Sequence, residues 1–178
     1  MDVQHEPLYD ELVYAAGAAI PNLAQFFTAP AGKTLAQTNV QTAKKLDAPE
    51  AFAVKGIRFK IRENILLADA INLFDGNTGF CLEFWIGSKS YNRGPLWYYN
   101  SGGGVSAGGG TVQSSINNGR TGEPDAHVLA INIVIDNQAS FFGQLDGSSA
   151  FTLTTTSNGG TGAGLMMLLD GLHARGVQ

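Results

Sequence analysis

Cysteine is almost missing from this chain: Cys81 stands alone among 178 residues. No intrachain disulfide can form, and the redox compartment cannot be read from cysteine usage. Charge is also scarce. Charged residues make up 15% of the chain, against a usual share of about 25%. Eleven Lys and Arg against fifteen Asp and Glu leave a formal net charge of −4. That balance argues against wrapping nucleic acid, where many cations would neutralise phosphates, and no sequence-specific nucleic-acid binding is expected. It also leaves little electrostatic repulsion to keep copies of the chain apart. The three histidines, His5, His127 and His173, form no His-x-His or His-x₃₋₅-His pair, so no local spacing predicts a metal site. No apolar run reaches 18 residues, which predicts no membrane-spanning helix. Residues 1–7 are polar and acidic, unlike the start of a signal peptide. No Asn-x-Ser/Thr acceptor and no internal repeat is found.

What is plentiful is glycine, 23 residues, with Ser, Thr and Asn around it. The chain is long enough to bury roughly 70% of its unfolded surface without disulfides or metal. Its periodicity divides it into an N-terminal arm, residues 1–50, and a β domain, 51–178. In the arm, Leu8, Leu12, Ala15, Ala16 and Ala19 recur at helical spacing and predict a short amphipathic helix over 7–20, ended by Pro21. Residues 22–50, with Pro30, Gly32 and Pro49, read as an extended segment with little regular structure.

From residue 51 the period is two. Phe52 and Val54 alternate, then Ile57, Phe59 and Ile61 alternate on the opposite parity, so a β-bulge is expected at Gly56. Ile65, Leu67, Ile71 and Leu73 follow, interrupted by Asp69. Phe80, Leu82, Phe84 and Ile86 line one strand face, with Cys81, Glu83 and Trp85 on the other. Residues 101–110 are a Gly-rich loop. Leu129, Ile131, Ile133 and Ile135 share a face of the clearest strand, 127–135. Phe141, Gly143 and Leu145 form another, Phe151 and Leu153 a further one, and Leu165–Leu169 reads as a buried strand. About eight strands with turn signals every 8–15 residues, and no β-helix-β alternation, predict an all-β fold. The expected architecture is a single eight-stranded jelly roll, a sandwich or barrel, carrying a helix-containing arm.

Each near-motif fails at a named position. Gly32-Lys33-Thr34 looks like the end of a phosphate-binding loop, but Phe27 stands where that motif needs Gly. Asp75-x-Asn77-x-Gly79 echoes a calcium loop, but Phe80 and Ile86 occupy its Gly and Glu positions. Glu83 beside Trp85 resembles a glycosidase carboxylate, yet its neighbours Cys81 and Trp85 offer no second acid. No Ser lies in G-x-S-x-G, and Cys81 reads as packing. No catalytic residue, cofactor or metal is therefore expected. Two groups read as contact surfaces. One is the aromatic set Tyr91, Trp97, Tyr98 and Tyr99, suited to core packing, a subunit interface or a sugar face. The other is the basic set Lys55, Arg58, Lys60 and Arg62, suited to a solvated face, an acidic neighbour or anionic lipid.

The layout resembles a known family. An arm carrying Thr38-Asn39 and Pro49 leads into the strand FAVKGIRFKI, later come HVLAINIVID and NQASFFGQLDG, then a Gly-rich loop and a last apolar strand. Over about residues 22–172 this is similar to the single jelly-roll major capsid proteins of tailless icosahedral phages with an internal membrane. The small capsid protein of the sphaerolipovirus type is nearest in size. The resemblance implies a virion protein, assembled in the host cytoplasm from copies of itself and a second capsid protein over an internal lipid membrane. It carries no catalytic residues. The acidic start of the arm, Asp2, Glu6, Asp10 and Glu11, does not suit direct contact with anionic lipid. The alternative is a carbohydrate-binding, lectin-like module on a phage fibre or secreted protein.

Overall fold

The computed structural model describes residues 2–61, 65–74, 79–99, 106–107, 116–117 and 128–175. Period-two alternation sets its framework. In β5 (Ala51–Ile61), Phe52 and Val54 face inward, and Ile57, Phe59 and Ile61 do so on the other parity. The phase changes where the sequence predicts. The register against β13 (Ala163–Arg175) steps between Asp170, paired with Gly56, and Gly171, paired with Val54. Lys55 is the extra residue of that bulge. The crossing is tight: a Cβ on Gly171 would lie 2.1 Å from the Ala53 carbonyl oxygen.

β13 is the spine of the larger antiparallel sheet, ordered β1–β13–β5–β10, with β2 also on β13. β10 is Val128–Ile135. β1 (Asp2–His5) and β2 (Leu8–Tyr14) lie end to end along one edge of β13, in a constant register from Asp2↔Arg175 to Tyr14↔Ala163. This corrects the helix expected over 7–20. Leu8 and Leu12 fit a helical stripe, but the inward face of this strand includes Asp10, and a buried carboxylate disguises the two-residue period. Asp10 is satisfied there. The Phe27 N–H donates to Oδ2 at 2.7 Å, and Lys33 Nζ donates to Oδ1 at 2.7 Å. β3 (Ala19–Ile20) then pairs with β12 (Phe151–Thr152).

The smaller antiparallel sheet is β4 (Leu23–Phe26), β11 (Phe141–Gly147), β6 (Phe80–Ile86) and β7 (Lys89–Pro95), in that order. β8 (Ser106–Ala107) and β9 (Ile116–Asn117) pair with each other. The two main sheets meet face to face. Met167 of β13 stands over Gly143 of β11, where an added Cβ would come within 2.1 Å of its Sδ. Glycine makes the room that methionine fills. Leu165, Met167 and Leu169 are buried from one sheet, and Phe26, Leu82, Phe84, Phe141 and Leu145 from the other, in one continuous core. The whole is a mostly β, all-antiparallel sandwich.

Residues 65–74 do not continue the strand pattern. Leu67–Phe74 is α1, the one α-helix among the described residues, with Leu73 and Asp69 turned inward and Leu67 and Ile71 outward. Buried Asp69 accepts from the Thr154 N–H (3.2 Å) and hydroxyl (3.0 Å), which ties the helix to the loop after β12. Residues 27–50 run along the sandwich with isolated bridges Asp10↔Thr38 and Thr42↔Lys45. Phe27 and Lys44 both take left-handed backbone angles, φ 65° and 59°. The Lys44 N–H donates to the Phe27 carbonyl, and the Phe141 N–H to the Lys44 carbonyl, which stitches this segment to β11.

Candidate functional site

The aromatic set divides. Tyr91 bulges from β7, where the register against β6 steps between Asn92 and Ser90, and it is 45% exposed. Lys89 Nζ lies 4.9 Å from its ring centroid. Pro95 starts a 3₁₀ turn, Leu96–Tyr98, that turns Leu96 inward and leaves Trp97 (54%) and Tyr98 (48%) outside. Their rings meet edge to face at 6.4 Å. Tyr99 is different: it is buried at 1%. Its hydroxyl donates to the Leu82 carbonyl at 3.2 Å and bonds Asn92 Oδ1. Burial, then the neighbouring Tyr98, Cys81 and Glu83, push its phenol well above the usual tyrosine range. Three members of the set are therefore surface groups, and the fourth belongs to the core.

The basic set divides too. Lys55 is the exposed bulge residue, and Lys60 is half-buried on the outer face of the larger sheet. Arg58 is paired across strands: its guanidinium meets Asp170 Oδ2 at 2.7 Å, while His5 Nε2 meets Asp170 Oδ1 at 2.9 Å. Arg62 lies outside the described residues.

Glu83 is buried on the outer face of the smaller sheet, opposite Arg93 on one side and Gln144 on the other. Arg93 Nε donates to Oε1 at 2.5 Å and Trp85 Nε1 to Oε2 at 2.9 Å. The row continues through Gln144 to Gln25 (3.1 Å) and Lys44 (3.3 Å). Beside it, Trp85 and Phe142 stack nearly parallel at 6.0 Å, with Lys44 Nζ 4.8 Å from the Phe142 centroid. The second acid on this face is Asp146, opposite Cys81 and so diagonal to Glu83, with Cα atoms about 7–8 Å apart. Both oxygens of Glu83 are engaged by Arg93 and Trp85, an arrangement that locks a sheet surface together.

The remaining candidates have structural partners. Lys33 of the phosphate-loop fragment holds Asp10, and Thr34 bonds Gln37. Asp75, Asn77 and His127 lie outside the described residues. Among the described residues, no group of three or more His, Cys, Asp or Glu side chains is placed to hold a metal ion. Sequence reasoning missed one polar cluster. His173, 3% exposed, has Nδ1 3.5 Å from Glu6 and Nε2 3.3 Å from Glu50, and Arg175 meets Glu6 at 2.7 Å. A cavity of about 60 Å³ adjoins it, lined also by Leu8, Val40, Lys45 and Asp47. The four polar residues come from three distant stretches of chain, and only the register of β1 and β5 on β13 unites them.

Compared with protein-family models, with curated proteins and with solved structures, the chain matches none.

Proposed function

We propose that this chain is a structural subunit that assembles with copies of itself into a shell, and that its sandwich is a single eight-stranded jelly roll. Strand pairing supports the fold. With the two-residue strands set aside and β1–β2 taken as one edge strand, eight strands remain among the described residues. In chain order the first pairs with the eighth (β2–β13), the second with the seventh (β4–β11), the third with the sixth (β5–β10) and the fourth with the fifth (β6–β7). Such pairing supports reading the sandwich as one long hairpin wound into two Greek keys, an architecture shared by viral capsid and lectin domains.

The observation that carries assembly is a set of small groups of exposed apolar side chains on three separate elements. Val128, Ile131 and Val134 lie on β10, Trp97 and Tyr98 follow β7, and Leu67 and Ile71 lie on α1. Clustered apolar groups left outside a folded chain mark contact surfaces. Several of them on one rigid block allow several neighbours, as a repeating assembly needs. The reading is a capsid or coat subunit of an icosahedral virion, assembled in a host cytoplasm, with a second capsid protein and an internal membrane as further partners and no catalytic role. Sedimentation velocity and negative-stain microscopy of the purified chain test it. Oligomers or particles are expected, and a monomer at every concentration would refute it.

The exposed Trp97–Tyr98 pair favours a second reading, a lectin-like module, because sugars stack on exposed aromatic faces. Glycan-array binding lost in Trp97→Ala would establish it in place of the first.

A further inference from the structure

We propose that β10 is where two copies of this chain meet, edge to edge about a two-fold axis, with Ile131 near the axis. This deepens the self-assembly reading and rests on it.

The four edges of the two main sheets differ in how they are protected. A bare edge strand is a template for pairing, and proteins blunt it with charge, Pro, bulges or cover. The β1–β2 edge carries Asp2, Glu6 and Pro7, and the 38–39 segment covers it. Asn39 Oδ1 accepts from the Tyr9 N–H at 2.9 Å, and the Thr38 hydroxyl donates to the Tyr9 carbonyl at 3.0 Å. β4 is four residues long and is followed at once by Phe27 in its left-handed conformation. β7 carries Lys89, Arg93 and Pro95 with a bulge at Tyr91. β10 has eight residues, VLAINIVI, with no charge, no Pro and no Gly, and among the described residues nothing pairs with its outer edge.

Charge selects the occupant. Two copies of a chain of net charge −4 that met at β1–β2 would oppose acids to acids, and at β7 cations to cations. At β10 they would oppose Val128, Ile131 and Val134 to the same side chains, without like charges. The local backbone fits this use. β10 pairs with β5 at Val128↔Gly56 and again from Ile133↔Val54, so five steps on β10 span two on β5. Bulges of this kind re-aim side chains. Ile131 shares parity with buried Ile133 and Ile135, yet it is 82% exposed. The bulge aims an isoleucine away from its own core.

The test is Ile131→Lys in the full chain, which sets two ammonium groups against each other across the axis. Sedimentation velocity should show wild-type assemblies reduced to smaller species, with the far-UV circular dichroism spectrum unchanged because Ile131 is exposed in the single folded chain. Val134→Lys should act alike. In a Cys81→Ser background, single cysteines at 130–134 locate the axis. Each residue away from a two-fold separates a position from its own copy by about 7 Å, so disulfide-linked dimers should appear at one or two adjacent positions. Wild-type mass in Ile131→Lys, or cross-linking at none or all of the positions, would overturn the β10 contact and leave the assembly reading standing. A wild-type chain that is monomeric throughout would overturn both.

Discussion

The contact between Gly143 and Met167 joins the two sheets, and a double-mutant cycle can measure it. Gly143 sits in β11, and the Sδ and Cε of Met167 would lie 2.1 and 3.1 Å from a Cβ built on it, with Phe26 Cδ2 at 3.4 Å. Gly143→Ala therefore overpacks a closed interface, at a cost of about 1–3 kcal/mol. The flexibility of methionine places the effect toward the lower end, since the thioether can turn aside more easily than backbone. Met167→Ala removes a fully buried side chain and should cost about 2–5 kcal/mol. Together the two changes exchange large and small across the interface. The new methyl group enters space that the methionine leaves, so the double variant should be more stable than the two separate losses imply, by about 0.5–3 kcal/mol. Urea unfolding of the four proteins gives the coupling directly, provided the m-values agree. Strict additivity would refute the face-to-face placement of β11 and β13.

Two further outcomes follow from polar groups in the smaller sheet. Burial raises the Tyr99 phenol above its ordinary value of 10.0. The unfolded chain thus ionises first, and the contribution of neutral Tyr99 is complete below pH 10 and declines as pH rises through the folded value. Tyr99→Phe should cost about 1 kcal/mol at neutral pH through its lost hydrogen bonds, and should flatten the alkaline decline of the urea midpoint; an unchanged decline would refute the assignment. Arg93→Ala leaves Glu83 buried with only Trp85 as a side-chain donor. Because Arg93 itself is 67% exposed, water and salt screen the pair, and the loss should sit near 1 kcal/mol. A thermal melt showing no loss would mean that the Glu83–Arg93 contact contributes nothing.

Much of the β framework is legible in the sequence because each strand has one buried face. The alternation in 52–61 shows both β5 and the Gly56 bulge, and the alternation in 80–86 separates Leu82 and Phe84 from Glu83 and Trp85. The first twenty residues mislead for a physical reason: Asp10 occupies an inward position, and its satisfaction by Phe27 and Lys33 depends on loops that local patterning cannot see. In 65–74 the apolar spacing suits two periods, and the inward turn of Asp69 toward Thr154 decides for a helix. Ile131 has the parity of a core residue, but the offset between β10 and β5 turns it outward. Candidate surfaces fare similarly. Trp97 and Tyr98 are neighbours by sequence and remain so in space, whereas the Glu6–Glu50–His173–Arg175 cluster exists only through strand register.

The constant register of residues 2–14 along β13 has a mechanical consequence. Asp2 and Arg175 are paired neighbours, so both ends of the described chain leave the sandwich at one corner. Force applied between them would open the β1–β13 ladder one rung at a time, whereas force along the strands would load all rungs together. A peptide graft, a fluorophore or a surface tether attached at either end would therefore crowd the same corner and leave the opposite end of the sandwich clear. A short cross-link between Asp2 and Arg175 would bridge neighbouring strands without disturbing either sheet.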